Sequence, residues 1–456
     1  MNQGVSKRVA LWIAAMGSFL TPFMGSSVNI ALPSIGKEFG ADAVMLNWVA
    51  TAYLLSAAML LLPFGKTADI YGRKKIFLYG VGVYTLASGL TAFVPDVYWL
   101  VAARIVQGAG SAMMFGTGVA ILTSVFPEQE RGRALGFNVA AVYLGLSLGP
   151  FLGGFLTQHF GWRSIFYVNI PLGIIILLLG IWKLKGEWAE AAGEKFDFTG
   201  SVVYGVSLAA MMYGFSRIPQ LTGYLLVIAG IAGIAGFVLM ENRQRYPLMN
   251  ISLLSRNRVF ALSNVAALIN YSATFAVGFL LSLYLQYIKG LTPQSAGIIL
   301  MVQPVIMTVF SPVAGRLSDR YEPRLVASVG MMMMVIGLTT LDLIHAETTI
   351  PSLMISLVLL GFGYALFSSP NTNAVMSSVE KKYYGVASAT VGTMRLIGQM
   401  LSMGIVLITF SLLIGKVQIS PANFPQFIRS ARIAFVIFTA LCAAGVFASL
   451  ARGKIR

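Results

Sequence analysis

Two positive charges sit deep inside apolar stretches of this chain, Arg104 and Arg395. A charge in hydrocarbon costs roughly 2.5–3.5 kcal/mol on insertion scales. Each must therefore face a cavity, meet a partner or, for Arg104, reach back to the nearer water surface. The sixteen acidic residues behave differently. Fifteen fall in polar gaps or at the ends of apolar runs, and only Asp342 lies inside one, close to its end. A carboxylate in a cavity is the simplest proton carrier, and no residue obviously fills that role. His159 and His345 are the only histidines and are too far apart for a zinc motif, and Cys442 is the only cysteine. No disulfide framework, metal site or cofactor is expected. A Gly-x-x-x-x-Gly-Lys-[Ser/Thr] phosphate loop is absent, so ATP is not the expected energy source. The remaining chemistry is recognition: polar and aromatic side chains set in apolar helices. Candidates for such a cavity are Asn29, Tyr53, Gln107, Asn138, Tyr143, Asn270, Tyr271, Tyr284, Gln303, Asn371 and Asn373, with Met331 to Met334 as polarizable surface. For any one of them, interhelical bonding is an equal alternative.

The elements that hold these residues are membrane spans. Hydrophobic residues make up 57% of the chain and charged residues 11%, against about a quarter charged in a soluble domain. The apolar blocks reach the roughly 20 residues needed to cross ~30 Å of hydrocarbon. Fourteen spans are predicted, near 9–32, 46–65, 76–94, 97–124, 134–158, 164–184, 199–216, 221–240, 260–287, 294–315, 325–344, 350–373, 385–414 and 430–451. The first follows Lys7 and Arg8 like a signal peptide, but its length and the spans behind it make it a retained helix. The net charge of +16 does not form a continuous basic face, so nucleic acid is not an expected partner. With both termini on the cytoplasmic side, 23 of the 32 basic residues fall on that side and seven on the other. The gaps between spans are too short for a soluble catalytic domain. The segment 241–259, basic and apolar by turns, reads either as a strip along the membrane surface or as a plain linker.

The chain also repeats itself. Gly65-x-x-x-Asp69 recurs as Gly315-x-x-x-Asp319 at an offset of 250, and Gly108, Gly110 and Gly132 recur as Gly361, Gly363 and Gly385 at an offset of 253. A six-span repeat needs only about 180 residues, and spans 7 and 8 fill the excess. The expected organisation is a six-helix bundle over 1–184, two added helices with linkers over 185–258, and a second six-helix bundle over 259–456. Parallel repeats of this kind build transporters that bind substrate between two rocking bundles.

Several motifs then point to one family. Gly65-Lys-Thr-Ala-Asp69-Ile-Tyr-Gly72-Arg73-Lys74-Lys75 resembles the signature loop between helices two and three of major facilitator transporters. Asp69 is suited to capping a helix start, and the basic residues to pairing with acids on a neighbouring bundle, holding a gate. The second copy, Gly315 to Arg324, includes Asp319 and Arg320 but has Glu322-Pro323 in place of Gly72-Arg73. Leu100-x-x-x-Arg104-x-x-Gln107-Gly108-x-Gly110 is similar to the fourth-helix motif, whose arginine is associated in the family with proton movement. Gly136, Gly145, Gly149-Pro150 and Gly153-Gly154 match the spacing of the antiporter motif of drug exporters. These glycines allow close helix approach, and Pro150 is suited to bending the span. Asn29-Ile-Ala-Leu-Pro33, Trp162-Arg163-x-x-Phe166-x-x-Asn169-x-Pro171 and Phe196-Asp197-Phe198-x-Gly200 also resemble the fourteen-span drug:proton antiporter family.

The resemblance implies the all-α major facilitator fold, residence in a bacterial or archaeal plasma membrane, monomeric action, and efflux of small amphipathic compounds coupled to protons or another ion. Many relatives carry an acidic residue in span 1 where this chain has Met24-Gly25-Ser26-Ser27-Val28. An alternative therefore stays open: export of an organic anion or lipid that uses Arg104 and Arg395, without carboxylate-based proton coupling.

Overall fold

The computed structural model describes residues 6–380 and 384–453, and among these every regular element is a helix. Thirteen helices are long and apolar enough to cross a membrane. The remaining span, Arg73–Thr91, is less apolar and packs against spans 2, 4 and 6. Spans 1 to 5 run Lys7–Phe39, Ala43–Tyr71, Arg73–Thr91, Val97–Val125 and Glu128–Phe160. Span 6 is Ser164–Trp182, span 7 Phe198–Arg217 and span 8 Leu221–Glu241. Spans 9 to 14 are Arg258–Ile288, Pro293–Arg320, Pro323–Asp342, Ile350–Ser377, Tyr384–Leu413 and Phe424–Ala451. Segment 241–259 contains one short helix, Ile251–Arg256, whose Leu253 and Leu254 pack on Phe260 and Val375.

Many helix starts follow from capping. Asp42, Asp96, Asp197, Asn257 and Thr292 each accept a backbone N–H from the first turn. Three of these caps are aspartates, placed at span starts where the free N–H groups are. Span 10 breaks at Met301. Pro304 has no N–H to offer the Leu300 carbonyl, and its ring crowds that turn. Span 9 breaks at Phe275 and Ala276 and ends in a π-helical turn, Tyr284–Ile288.

The repeat is visible as packing. A Cβ added to Gly108 would meet the Tyr53 carbonyl oxygen at 2.4 Å, and one added to Gly361 would meet that of Gln303 at 2.6 Å. Gly110 lies against Gly80 and Tyr84 as Gly363 lies against Gly330 and Met334. The same two helix crossings thus occur twice, at the sequence offsets already noted. Spans 1–6 pack mainly on one another, as do spans 9–14, with spans 5 and 10 and spans 2 and 13 at the seam. Spans 7 and 8 pack together through Gly214, Gly223 and Gly230, and span 7 rests on spans 2 and 13.

An even number of spans puts the start of span 1 and the end of span 14 on one face, the one rich in lysine and arginine. Hydrogen bonds joining the two groups of six spans gather at the opposite face. There Ser282 Oγ donates to the Asn29 carbonyl at 2.6 Å and Gln286 Nε2 to that of Ile30 at 2.9 Å. Gln294 N donates to Gln158 Oε1 at 3.2 Å, and Gln418 Nε2 to the Gly40 carbonyl at 2.8 Å. Toward the basic face, a Cβ on Gly132 or Gly136 of span 5, or Gly385 of span 13, would meet nothing within 4 Å.

Candidate functional site

A cavity lies between the two groups of spans, walled by spans 1, 2, 4 and 5 on one side and 9, 10, 12 and 13 on the other. It takes in the breaks of spans 9 and 10 through Thr274, Phe275, Leu300 and Pro304. Broken helices release backbone groups where a cavity can use them. Asn29, Tyr53, Tyr143, Tyr271, Gln303 and Arg395 of the sequence candidates line it, together with Pro150. Arg395 is the one charged side chain among the described lining residues, and it is partly exposed to the cavity. Its guanidinium carbon lies 5.3 Å from the centre of the Phe115 ring and 5.7 Å from that of Tyr271. Tyr53 donates to Ser111 Oγ at 2.7 Å, and Tyr143 meets Ser368 at 3.3 Å across the seam.

The other candidates lie elsewhere. Asn270 Nδ2 contacts the sulfur of Met334, and Tyr284 donates to the His345 carbonyl at 2.6 Å near the far face. Asn371 Oδ1 accepts from Arg452 at 2.7 Å, and Asn373 donates to Ser318 at 3.1 Å. Asn138 is buried outside the cavity wall. Met331 and Met334 are core residues and Met332 is exposed, so the methionine run does not line the cavity. Asn371, Asn373 and Tyr284 thus satisfy neighbouring protein groups instead of a ligand, while the side-chain oxygens of Asn138 and Asn270 are buried without a hydrogen-bond partner.

Arg104 is also outside the cavity. It is 1% exposed, donating to the Val49 carbonyl at 3.1 Å and to Gln107 Oε1 at 2.5 Å. Gln107 passes the chain on to Ser88 at 2.8 Å. The guanidinium carbon sits 4.3 Å from the centre of the Tyr53 ring. Arg104 thus has partners without reaching water, and Tyr53 stands between it and the cavity.

Tyr364 and Ser111 line the cavity but were not singled out from the sequence. They follow Gly363 and Gly110 directly, so the repeat that pairs those glycines also pairs them. Tyr53 and Gln303 correspond in the same way at the offset of 250. Phe115, Gln399 and Ser26 carry no comparable signal.

The antiporter-type glycines form a seam. A Cβ on Gly145 would meet the Phe19 carbonyl at 2.5 Å, one on Gly149 the Ser26 hydroxyl at 1.9 Å, and one on Gly153 the Ser27 Cα at 2.7 Å. Those three face span 1. A Cβ on Gly154 would meet the Pro293 carbonyl at 2.4 Å, and one on Gly297 that of Pro150 at 2.1 Å, so span 5 also meets span 10 closely. Gly136 touches neither.

The loop after span 2 departs from the sequence expectation. Its basic residues meet the acids of segment 185–198, which follows span 6, rather than a neighbouring bundle. Arg73 donates to Asp69 at 2.8 Å and, with both terminal nitrogens, to Glu190 at 2.6 and 2.9 Å. Glu187 accepts from the Lys74 backbone at 2.8 Å, and Lys66 pairs with Glu194 at 2.5 Å. Asp69 caps no helix: Gly72 begins span 3 at φ 119 with no side-chain cap, and a Cβ there would strike Glu187. Gly65 meets nothing within 4 Å. In the second copy Gly315 lies near Ser369, and Arg320 ends span 10.

A profile of the Major Facilitator Superfamily matches residues 14–197 and 261–454. The chain belongs to that superfamily. It is a multi-pass membrane transporter of small molecules, not an enzyme. Riboflavin transporter RibZ of Clostridioides difficile (strain 630) is 32% identical over 391 residues, covering 85% of each chain. Multidrug resistance protein Stp of Mycobacterium tuberculosis (strain CDC 1551 / Oshkosh) is 32% identical over 398 residues, covering 86% of the transporter and 73% of Stp. The crystal structure of peptide transporter POT in complex with sulfate superposes with a TM-score of 0.71 at 13% identity, covering 95% of the transporter and 94% of POT. That likeness shows the fold.

Proposed function

We propose that the transporter exports small amphipathic compounds by alternating access, and that its central cavity favours aromatic solutes bearing an anionic or zwitterionic group. The observation that carries this reading is Arg395, the single charged residue among the described lining, flanked by Phe115 and Tyr271. A partly desolvated guanidinium attracts a carboxylate or phosphate and can stack on a ring. The riboflavin transporter among the similar proteins supports a substrate with ring surface. The span 5 glycine motif supports export.

In this reading residues 1–184 and 259–456 are two bundles that tip about the cavity, while 185–258 adds spans 7 and 8. The basic face is cytoplasmic, so the bonds at the far face close the cavity to the outside. The loop after span 2 acts as a gate element, held by segment 185–198. The protein works as a monomer in a bacterial or archaeal plasma membrane and draws on a proton or other ion gradient.

The test is reconstitution into liposomes with an imposed pH gradient and a panel of anionic, zwitterionic, neutral and cationic aromatic compounds. Saturable transport of the anionic or zwitterionic class, lost in Arg395→Gln, is expected. Transport confined to cations, or unchanged in that variant, refutes the pocket assignment.

A further inference from the structure

Two carboxylates meet in the protein interior where spans 7 and 8 come together at the basic face. Asp197 precedes span 7 and is 7% exposed; Glu241 ends span 8 and is 2% exposed. Each has one oxygen satisfied by the backbone: Asp197 Oδ1 accepts from Gly200 N at 2.9 Å, and Glu241 Oε2 from Met249 N at 3.1 Å. The remaining oxygens, Asp197 Oδ2 and Glu241 Oε1, are buried without a hydrogen-bond donor. They converge on one point. A Cβ built on Gly200 would lie 2.3 Å from Asp197 Oδ2 and 2.7 Å from Glu241 Oε1, so the two oxygens are no further apart than those distances combined.

No lysine or arginine of the described residues forms an ion pair with either carboxylate. On span 2, Lys66 is held by Glu194 and Asp69 by Arg73. On span 13, Arg395 belongs to the central cavity. Lys195, Arg243 and Arg245 on the adjoining loops are exposed. Tyr204 of span 7 donates to the Ala58 carbonyl at 3.1 Å. Two buried acceptors facing each other without a cation cannot both stay ionised at low cost. One proton between them turns the repulsion into a hydrogen bond.

We propose that Asp197 and Glu241 form a one-proton site, with the proton itself as ligand. The motif Phe196-Asp197-Phe198-x-Gly200 then has a physical purpose: Asp197 caps span 7, and Gly200 leaves room for the second carboxylate. Span 7 packs on span 2 of one half and span 13 of the other, so loss of the proton pushes on elements that must shift when the halves tip. This use in coupling rests on the ion-driven reading above; the proton site does not.

The experiment uses the full-length protein. Infrared difference spectra between acid and alkaline pH should contain a protonated-carboxyl band that shifts in D2O and disappears in both Glu241→Gln and Asp197→Asn. Both variants retain an acceptor for the backbone N–H, and their amides can donate to the partner carboxylate, so folding is preserved. A wild-type band that persists unchanged in both variants overturns the site. Substrate counterflow, which needs no ion gradient, is measured in the same vesicles. Counterflow retained in Glu241→Gln with pH-gradient stimulation lost supports the coupling role, whereas stimulation unchanged removes that role and leaves the proton site to the spectra. Wild-type protein without counterflow for any compound refutes the transport reading, and the infrared band still decides the proton site.

Discussion

Arg104 and Arg395 are the same residue in comparable surroundings, yet the structure treats them in opposite ways. Arg104 spends its donors inward, on the Val49 carbonyl and on Gln107, under the ring of Tyr53. Arg395 meets the faces of Phe115 and Tyr271 and stays partly open to the cavity. An intramembrane charge is therefore not a functional residue by position alone. Whether its donors are already engaged separates a helix fastener from a binding group.

Substitutions should pull the two arginines apart. The largest effect on transport is expected at Arg395. Removing a charge-assisted contact of about 1.5–3 kcal/mol should weaken binding of an anionic substrate by roughly 10- to 100-fold. The thermal midpoint of Arg395→Gln in detergent should barely move. Arg104→Gln reverses the pattern, with a loss of about 1.5–3 kcal/mol of stability and a lower thermal midpoint. Cys442, the only cysteine and fully buried, allows that midpoint to be read with a thiol-reactive dye. Gln107→Ala should cost about 1–3 kcal/mol, because it strips a buried partner from Arg104 and from Ser88. The smallest effect belongs to Tyr53→Phe, which keeps the ring over Arg104 and loses one hydrogen bond to Ser111, about 0.5–1.5 kcal/mol. Equal loss of transport and stability in both arginine variants would erase the distinction.

How far the sequence reveals these differences depends on the scale of the physics involved. Span number and end positions come from hydrocarbon thickness and helix rise, which act on whole segments, so the predicted blocks fall within the helices or within a few residues of them. Two pairs of repeat glycines, Gly108 with Gly361 and Gly110 with Gly363, were legible because close backbone approach tolerates no side chain, and each pair carries the same constraint twice. The cavity was legible only in part. Asn270 and Tyr271 are adjacent, but only Tyr271 lines the cavity, a difference of helical phase that composition does not carry. Asp197 and Glu241 read as acids at helix ends near water; their burial depends on spans 7 and 8 packing at Gly200, a tertiary contact. The partners of Arg73 were missed for the same reason. Charge pairing depends on which loop folds back, and segment 185–198 supplies three glutamates next to the motif.

Arg452 extends the lesson about engaged and unengaged donors beyond the membrane spans. It follows span 14, turns back into the protein and donates to Ser263 and Asn371, while two of its nitrogens have no partner. Burial pulls its guanidinium down to about 10, with Glu322 opposing the shift.

Everything said of the cavity requires that it open at one face while the other is closed. In this structure Gln158 and Gln294 are hydrogen-bonded across the closed far face. A protein carrying Gln158→Cys and Gln294→Cys, in vesicles that transport substrate, should form a disulfide that stops transport, and reduction should restore the rate. Transport that continues undiminished with the pair fully crosslinked would contradict alternation about that face.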